Sequence, residues 1–268
     1  VVLYRTNAQS RILEEACLRY GLPYKVIGGV KFYARKEIKD MVAYLRLIYS
    51  FRDDASLLRI INTPPRKSGQ KTVEEIQQGS RMKGVSLFAA LDAFPDRQAL
   101  QQFSHLIDTL RDFSRQFPVS TLIREILHRT GYKLFIEEDP VSGESRIENI
   151  HELISVATKY DELEPSVGLA TFLEEVALVS DTDDLSGTED YLTLMTIHSA
   201  KGLEFDHVSI VGLEEGIFPH SRSAYDPEQM EEERRLMYVA MTRAKEHLVL
   251  LWARRRLLFG ESQYNPPS

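Results

Sequence analysis

Residues 191–213 read YLTLMTIHSAKGLEFDHVSIVGL. Two near-continuous apolar runs, "YLTLMTI" and "HVSIVGL", flank a polar turn built on Lys201 and Gly202. Runs of that length, rich in β-branched residues, are strands, and strands apolar on both faces suit a sheet covered on both sides. A third such run, "EHLVLLWA", follows at 246–253. The segment before it, roughly Pro227 to Lys245, has helical spacing and a proline at its first turn. Strand, helix, strand in that order predicts a parallel sheet.

The other end of the chain repeats the pattern. "VVLYR" at 1–5 and "YKVI" at 24–27 are strand-like. Between them "AQSRILEEACLRYG" puts Ile12, Leu13, Ala16, Cys17 and Tyr20 on one helical face, with Gly21 as a stop. The intervening 150 or so residues have helical periodicity throughout. Stripes run through Ile38, Met41, Val42, Leu45 and Ile48, then Leu100, Phe103, Leu106, Ile107 and Leu110. They continue through Leu122, Ile123, Ile126 and Leu127, then Ile147, Ile150, Leu153 and Ile154, then Leu169, Phe172, Leu173 and Val176. Aspartates 53 and 54 cap one helix, and Pro64 and Pro65 interrupt the chain. An acidic loop at 180–190 closes the block. The expected organisation is an α/β domain formed by 1–29 and 189–268, interrupted by an all-helical insertion at 30–188.

Composition excludes several classes. The chain has 268 residues, 43% hydrophobic and 27% charged, and its longest apolar runs are too short to span a bilayer. A single cysteine, Cys17, rules out an internal disulfide and suits a reducing compartment. The seven histidines do not fall at metal-ligand spacings. A net charge of −7 argues mildly against nucleic acid, but acidic runs at 181–184 and 228–233 carry much of it. The 33 lysines and arginines leave room for local basic tracks. The abrupt start on a strand, with no signal peptide, suggests a piece of a longer protein.

Several stretches could carry chemistry, and most have two readings. In "TIHSAKGLEF" (196–205) Lys201 precedes its glycine, so the stretch is not a phosphate-binding P-loop, and none occurs elsewhere in the chain. It is either a plain turn or a ligand loop. "VSIVGLEE" (208–215) ends a strand in acidic residues, a common arrangement that means little alone. Arg243 ends a helix just before a core strand, where it either binds an anion or simply complements the helix C-terminus. Asn7, after the first strand, either caps the next helix or, with a nearby arginine, touches a phosphate or base. "NTPPRKSGQKT" (62–72) is either a surface turn or a loop offering backbone N–H groups to phosphates.

Taken together, "VVLYRTNAQSR", "GGVKFYARKEIKDMVAYLRLI", "NTPPRKSG", "SRIENIHEL", "TLMTIHSAKGLEFDHVSIVGLEEGIFPH" and "EEERRLMYVAMTRAKEHLVL" decide between these readings. In that order, across nearly the whole chain, they resemble the C-terminal half of the UvrD/PcrA/Rep-type superfamily 1 DNA helicases. "HSAKGLEF" and "EEERRLMYVAMTRA" resemble that family's motifs V and VI. The resemblance implies a partial RecA-like second lobe (2A) and its helical insertion (2B). The first lobe, with its P-loop and metal-binding acidic residues, is expected to lie outside this chain.

The resemblance also implies roles. Arg243 would be an arginine finger reaching the γ-phosphate of ATP. Glu204, with Lys201 and Gly202, would bind the ribose side. Asn7, His198 and His220 would touch single-stranded DNA, with His198 on the path that couples DNA to nucleotide. Arg66, Lys67, Gly69 and Thr72 would grip duplex phosphates. The family usually has Arg-Gly-Ile-Gly there, and Lys67 and Ser68 depart from it. The implied activity is ATP- and Mg²⁺-dependent 3′–5′ unwinding in DNA repair or replication, in the cytoplasm, with no metal ligand on this chain. Partners would be single-stranded and duplex DNA, the first lobe, and repair or replication proteins. Alone, the chain is expected to be inactive. The alternatives are a regulatory or partner-docking role for the helical block, or a subunit of a helicase–nuclease.

Overall fold

A computed structural model of the chain describes residues 1–66, 68–181, 190–258 and 260–268. Two compact units emerge, Val1–Arg35 with Thr182–Ser268, and Lys36–Asp181.

The first unit is built on a parallel sheet. In chain order its elements are β1 (Val2–Tyr4), α1 (Ser10–Arg19) and β2 (Tyr24–Ile27). The helices of the second unit intervene: α2 (Lys36–Tyr49), α3 (Asp54–Ile60), α4 (Gln70–Lys83), α5 (Leu87–Ala90), α6 (Gln98–Ser114), α7 (Val119–Arg129), α8 (Tyr132–Glu137), α9 (Gly143–Ala157) and α10 (Pro165–Asp181). The chain then returns as β3 (Leu192–Thr196), β4 (Phe205–Val211), α11 (Pro227–Met241) and β5 (Ala244–Leu251). A small antiparallel pair, β6 (Arg256–Leu258) and β7 (Glu261–Gln263), follows.

The five strands lie in the order β2-β3-β1-β4-β5, every pair parallel. β1 and β2 are therefore not neighbours, because β3, which follows the helical block, slots between them. The core packs Leu3, Met195, Val208 and Ile210 of the sheet against Leu236 and Ala240 of α11. Burying each larger apolar side chain contributes about 1.5–3 kcal/mol.

Two expectations fail in this unit. The apolar stripe assigned to α1 is only partly its buried face: Cys17 is buried as expected, but Ile12 and Tyr20 are exposed, while Ser10, Arg11 and Glu14 are buried. The reason is a polar network. Ser10 Oγ donates to Glu14 (2.6 Å), Arg35 donates to Ser10 (2.6 Å), and the Phe32 N–H donates to Glu14 (3.1 Å). Burial within this network pushes the Tyr4 hydroxyl up to about 12. The second failure is β5, which is apolar like β4 yet exposed along nearly its whole length, because it is the edge strand. The long helix also stops at Met241, short of Lys245, since β5 begins at Ala244.

The helical unit follows its periodicity closely. Its stripes are buried at Ile38, Met41, Leu45 and Ile48, and at Leu122, Ile123, Ile126 and Leu127. Asp53 caps α3 by accepting from the Ser56 N–H (2.9 Å). A buried carboxylate, Asp40, joins Arg59 (2.7 Å) and the Tyr132 hydroxyl (2.6 Å).

Candidate functional site

Because all five strands run the same way, the sheet has one carboxyl edge and one amino edge, and the candidate residues of the first unit divide between them. At the carboxyl edge lie Asn7 after β1, His198 after β3, and His220 in the loop after β4. At the amino edge lie Lys201, Gly202 and Glu204 before β4, and Arg243 before β5. The segment 197–204 crosses from one edge to the other.

At the amino edge Gly202 sits at φ +84°, a left-handed turn that glycine adopts without strain. Lys201, Gly202, Leu203 and Glu204 are all exposed. Arg243 is half-buried, not sunk into the sheet. Its Nε donates to Val239 O (2.9 Å) at the end of α11, Nη1 to Leu203 O (2.9 Å), and Nη2 to Thr242 Oγ1 (3.0 Å). The Phe205 N–H donates to Arg243 O (2.8 Å), so the start of β4 and the start of β5 are locked side by side. These three acceptors of the guanidinium are uncharged, and an anion would be a stronger partner than any of them.

The carboxyl edge is held by close approaches. Gly28, at φ +73°, lies so near Ser199 that a Cβ there would meet Oγ at 2.3 Å. Ser199 in turn bonds Thr196 (2.9 Å). Asn7 opens a 3-10 turn but does not cap it; Thr6 is the cap, and Gln9 accepts from the Arg5 and Thr6 N–H groups (2.9 Å each). His198 is exposed on one side. Burial of the other side, then the Arg5 charge, push its pKa below the usual value, against opposing pulls from Glu233 and Glu232. His220 follows the cis Phe218–Pro219 peptide, and its Nδ1 accepts from the Arg222 N–H at 3.5 Å.

Glu233 and Glu214 are buried carboxylates near these edges that the sequence did not single out. Glu231 and Glu232 are exposed and pair with Arg234 and Arg235. Glu233 is buried and takes a bidentate bond from Arg5 (2.7 and 3.0 Å). Its signal was present: Glu233 is in phase with Leu236 and Ala240, the helix's buried face. The second carboxylate, Glu214, is fully buried and accepts from Arg256 (2.8 and 2.9 Å) and the Ala253 N–H (2.7 Å). Burial alone would raise its pKa, but these bonds outweigh burial and hold it below the ordinary carboxylate range.

In the helical unit the expected duplex grip looks different. The Arg66 guanidinium turns inward, donating to Ile60 O (2.8 Å), Pro64 O (3.2 Å) and the Tyr44 hydroxyl (2.6 Å). The Thr72 hydroxyl accepts from Arg97 (2.8 Å). Gly69 is exposed at the N-terminus of α4, and Lys67 lies outside the described residues. The Arg66 guanidinium is thus engaged by the Ile60 and Pro64 carbonyls and the Tyr44 hydroxyl, whereas Thr72 is the acceptor in its bond with Arg97, which leaves its own O–H unused there.

Among the described residues no group of three or more His, Cys, Asp or Glu side chains could hold a metal, and no helix is long and apolar enough to cross a membrane. The chain is 43% identical over 281 residues to the ATP-dependent DNA helicase PcrA of Bacillus subtilis, and 44% identical over 279 residues to those of Staphylococcus aureus and Staphylococcus epidermidis. Each match covers all of this chain and 38% of the relative, so the chain spans well under half the length of these proteins. The model of the UvrD-like helicase C-terminal domain matches residues 1–255. With a parallel sheet carrying candidate ligand residues at both edges, and that match over nearly its full length, the chain belongs to the UvrD-like helicase C-terminal domain family.

Proposed function

We propose that this chain forms the second RecA-like lobe (2A) and helical insertion (2B) of an ATP-dependent 3′–5′ DNA helicase. The parent enzyme would be cytoplasmic and act in repair or replication. Arg243 is the arginine finger, Glu204 with Lys201 and Gly202 meets the ribose side of ATP, and Asn7, His198 and His220 touch the single strand. Lys67, Gly69 and Thr72 are the remaining candidates for duplex phosphates, with Arg66 shaping their loop. Mg²⁺ would be held by the first lobe, outside this chain. It would supply charge neutralisation at the phosphates.

The observation that carries this reading is the Arg243 guanidinium, half-buried at a sheet edge and bonded to three uncharged oxygens. Delivery of a triphosphate to that edge would give it an anionic partner in one state of the enzyme only, which is what shifts an equilibrium between open and closed lobes. In the full-length enzyme Arg243→Ala should slow ATP turnover on the order of 10³-fold or more while nucleotide binding changes little. Turnover at the parent rate would reject the finger assignment. The isolated chain should neither hydrolyse ATP nor unwind DNA; hydrolysis by pure material, abolished by Arg243→Ala, would contradict that.

The inward Arg66 favours a second reading for the helical unit, a regulatory or docking element. Deleting 36–181 from the full-length enzyme separates the two. A regulator leaves a working motor behind; an essential grip on duplex DNA does not.

A further inference from the structure

Glu233 makes more connections than its neighbours in "EEERR" require. Its Oε1 accepts from Arg5 Nε (3.0 Å) and Nη2 (2.7 Å). Its Oε2 accepts from Arg5 Nε (3.1 Å) and from the backbone N–H of His220 (3.1 Å). Arg5 leaves the end of β1, His220 leaves the loop after β4, and Glu233 belongs to α11. One buried carboxylate therefore ties two strand-end loops to the helix that leads to Arg243. The Glu233 side chain is 5% exposed and that of Arg5 22%, so the pair is anchored inside with the guanidinium reaching the surface. His198 feels both charges of the pair. A carboxylate this buried is tolerated only with its partners in good geometry, which makes it a rigid reference point.

We infer that Glu233 is a positioning residue that fixes Arg5 and the His220 peptide at the strand-binding edge and so couples DNA binding to ATP hydrolysis. The inference rests on the reading of the carboxyl edge as the single-strand surface. The carboxylate acts through Arg5 and the His220 backbone, not by touching DNA or nucleotide. Gln at 233 keeps the shape but replaces one acceptor oxygen with an NH₂ that meets the donors of Arg5 or of His220.

The test uses the full-length helicase and the ratio of ATPase rates with and without saturating oligothymidylate. Glu233→Gln should lower that ratio on the order of ten- to a hundredfold, the loss typical of a small misplacement of a working group. Arg5→Ala should lower it similarly, and the two together should cost no more than the larger single loss, because they remove one unit. A ratio equal to the parent's overturns the inference. So does a parallel fall of both rates accompanied by a lower melting temperature, since that marks a merely structural role. So do losses that add in the double variant. If Glu233→Gln does not fold, Arg5→Gln, at the more exposed end of the pair, reads the same ratio: a lowered value supports the inference and an unchanged one overturns it. A parent enzyme whose hydrolysis is indifferent to DNA would refute the underlying functional reading instead, and the inference with it.

Discussion

Removing the Arg256 guanidinium strands a carboxylate that has no access to water. Glu214 is fully buried and has three close donors: Arg256 Nε at 2.9 Å, Arg256 Nη2 at 2.8 Å and the Ala253 N–H at 2.7 Å. Arg256→Ala removes two of them and the compensating charge. Breaking a buried pair on one side costs about 3–5 kcal/mol. The Arg256 side chain keeps 21% of its exposure, so water can reach part of the gap. A cost of roughly 2–3 kcal/mol is therefore expected, at or just below the bottom of that range. Urea unfolding of the chain reads it directly, because its single tryptophan, Trp252, adjoins Ala253. With a slope of about 1–3 kcal/mol per molar urea, the midpoint should fall by roughly 0.7–3 M. The exposed neighbour serves as control: Arg255→Ala should stay within about 0.5 kcal/mol of the parent. The pH dependence supplies a second check. Glu214 has its pKa lowered from 4.5, so its contribution is complete above 4.5 and is lost as pH falls through the lowered value. In Arg256→Ala burial acts unopposed by the arginine, and protonation relieves the defect, so the deficit should shrink in acid. A midpoint indistinguishable from the Arg255 control, or a deficit unchanged between pH 7 and pH 4, would refute the reasoning.

His198 has its pKa held below 6.5, so the free fold is stabilised above that value and loses the contribution as pH falls below it. A phosphate beside the ring would favour the protonated form; single-strand affinity should tighten from pH 7.5 to 6, and His198→Gln should flatten that trend in a fluorescence-anisotropy titration. Gly28→Ala should destabilise the chain by at least about 1–2 kcal/mol from its positive φ alone, with the Ser199 clash added; a thermal melt shifted by less than a degree would reject it. The exposed edge strand predicts self-association of the isolated chain through Leu248, Val249, Leu250 and Leu251. Leu248→Lys with Leu250→Lys should shift its sedimentation towards monomer, whereas a parent chain already monomeric at high concentration would show that this edge is not adhesive.

Local patterns carried most of the architecture, and non-local partners account for what they missed. The helical stripes of the second unit were legible because packing on several sides requires apolar residues at the period read, and Ile123, Ile126, Ile150 and Leu153 are buried accordingly. For α1 the same periodicity placed Cys17 correctly but put Ile12 and Tyr20 on the buried face. Arg35 and Phe32, 18 to 25 residues downstream, supply the donors that let Ser10 and Glu14 go inside. Likewise "EHLVLLWA" and "HVSIVGL" have similar composition, yet one is an edge strand and the other is central. Strand order is set by the whole topology and leaves no mark on a single run. The charge of Arg66 in a Gly-containing loop looked like an anion contact. The Tyr44 hydroxyl and the Ile60 carbonyl, which claim that guanidinium, were invisible from position 66.

The placement of the candidate residues bears on how the proposed lobe would transmit a signal. Asn7, His198 and His220 stand at one edge of the sheet and Glu204 and Arg243 at the other, so none of these candidates stands at both edges. Among the segments that connect the edges are 197–204 and α11. Glu233 anchors α11 near the carboxyl edge, and roughly 12 Å of helix at 1.5 Å per residue separates it from Met241. At Arg243 the two segments meet again through the bonds to Leu203 O and from Phe205 N. Such a closed frame does not require an internal hinge. A bond to nucleotide formed or broken at Arg243 would displace the lobe as one body, carrying the strand-binding edge with it. On the proposed reading, the lever for that motion would be the difference in nucleotide binding between open and closed states, and its precision would depend on how firmly Glu233 holds the opposite end.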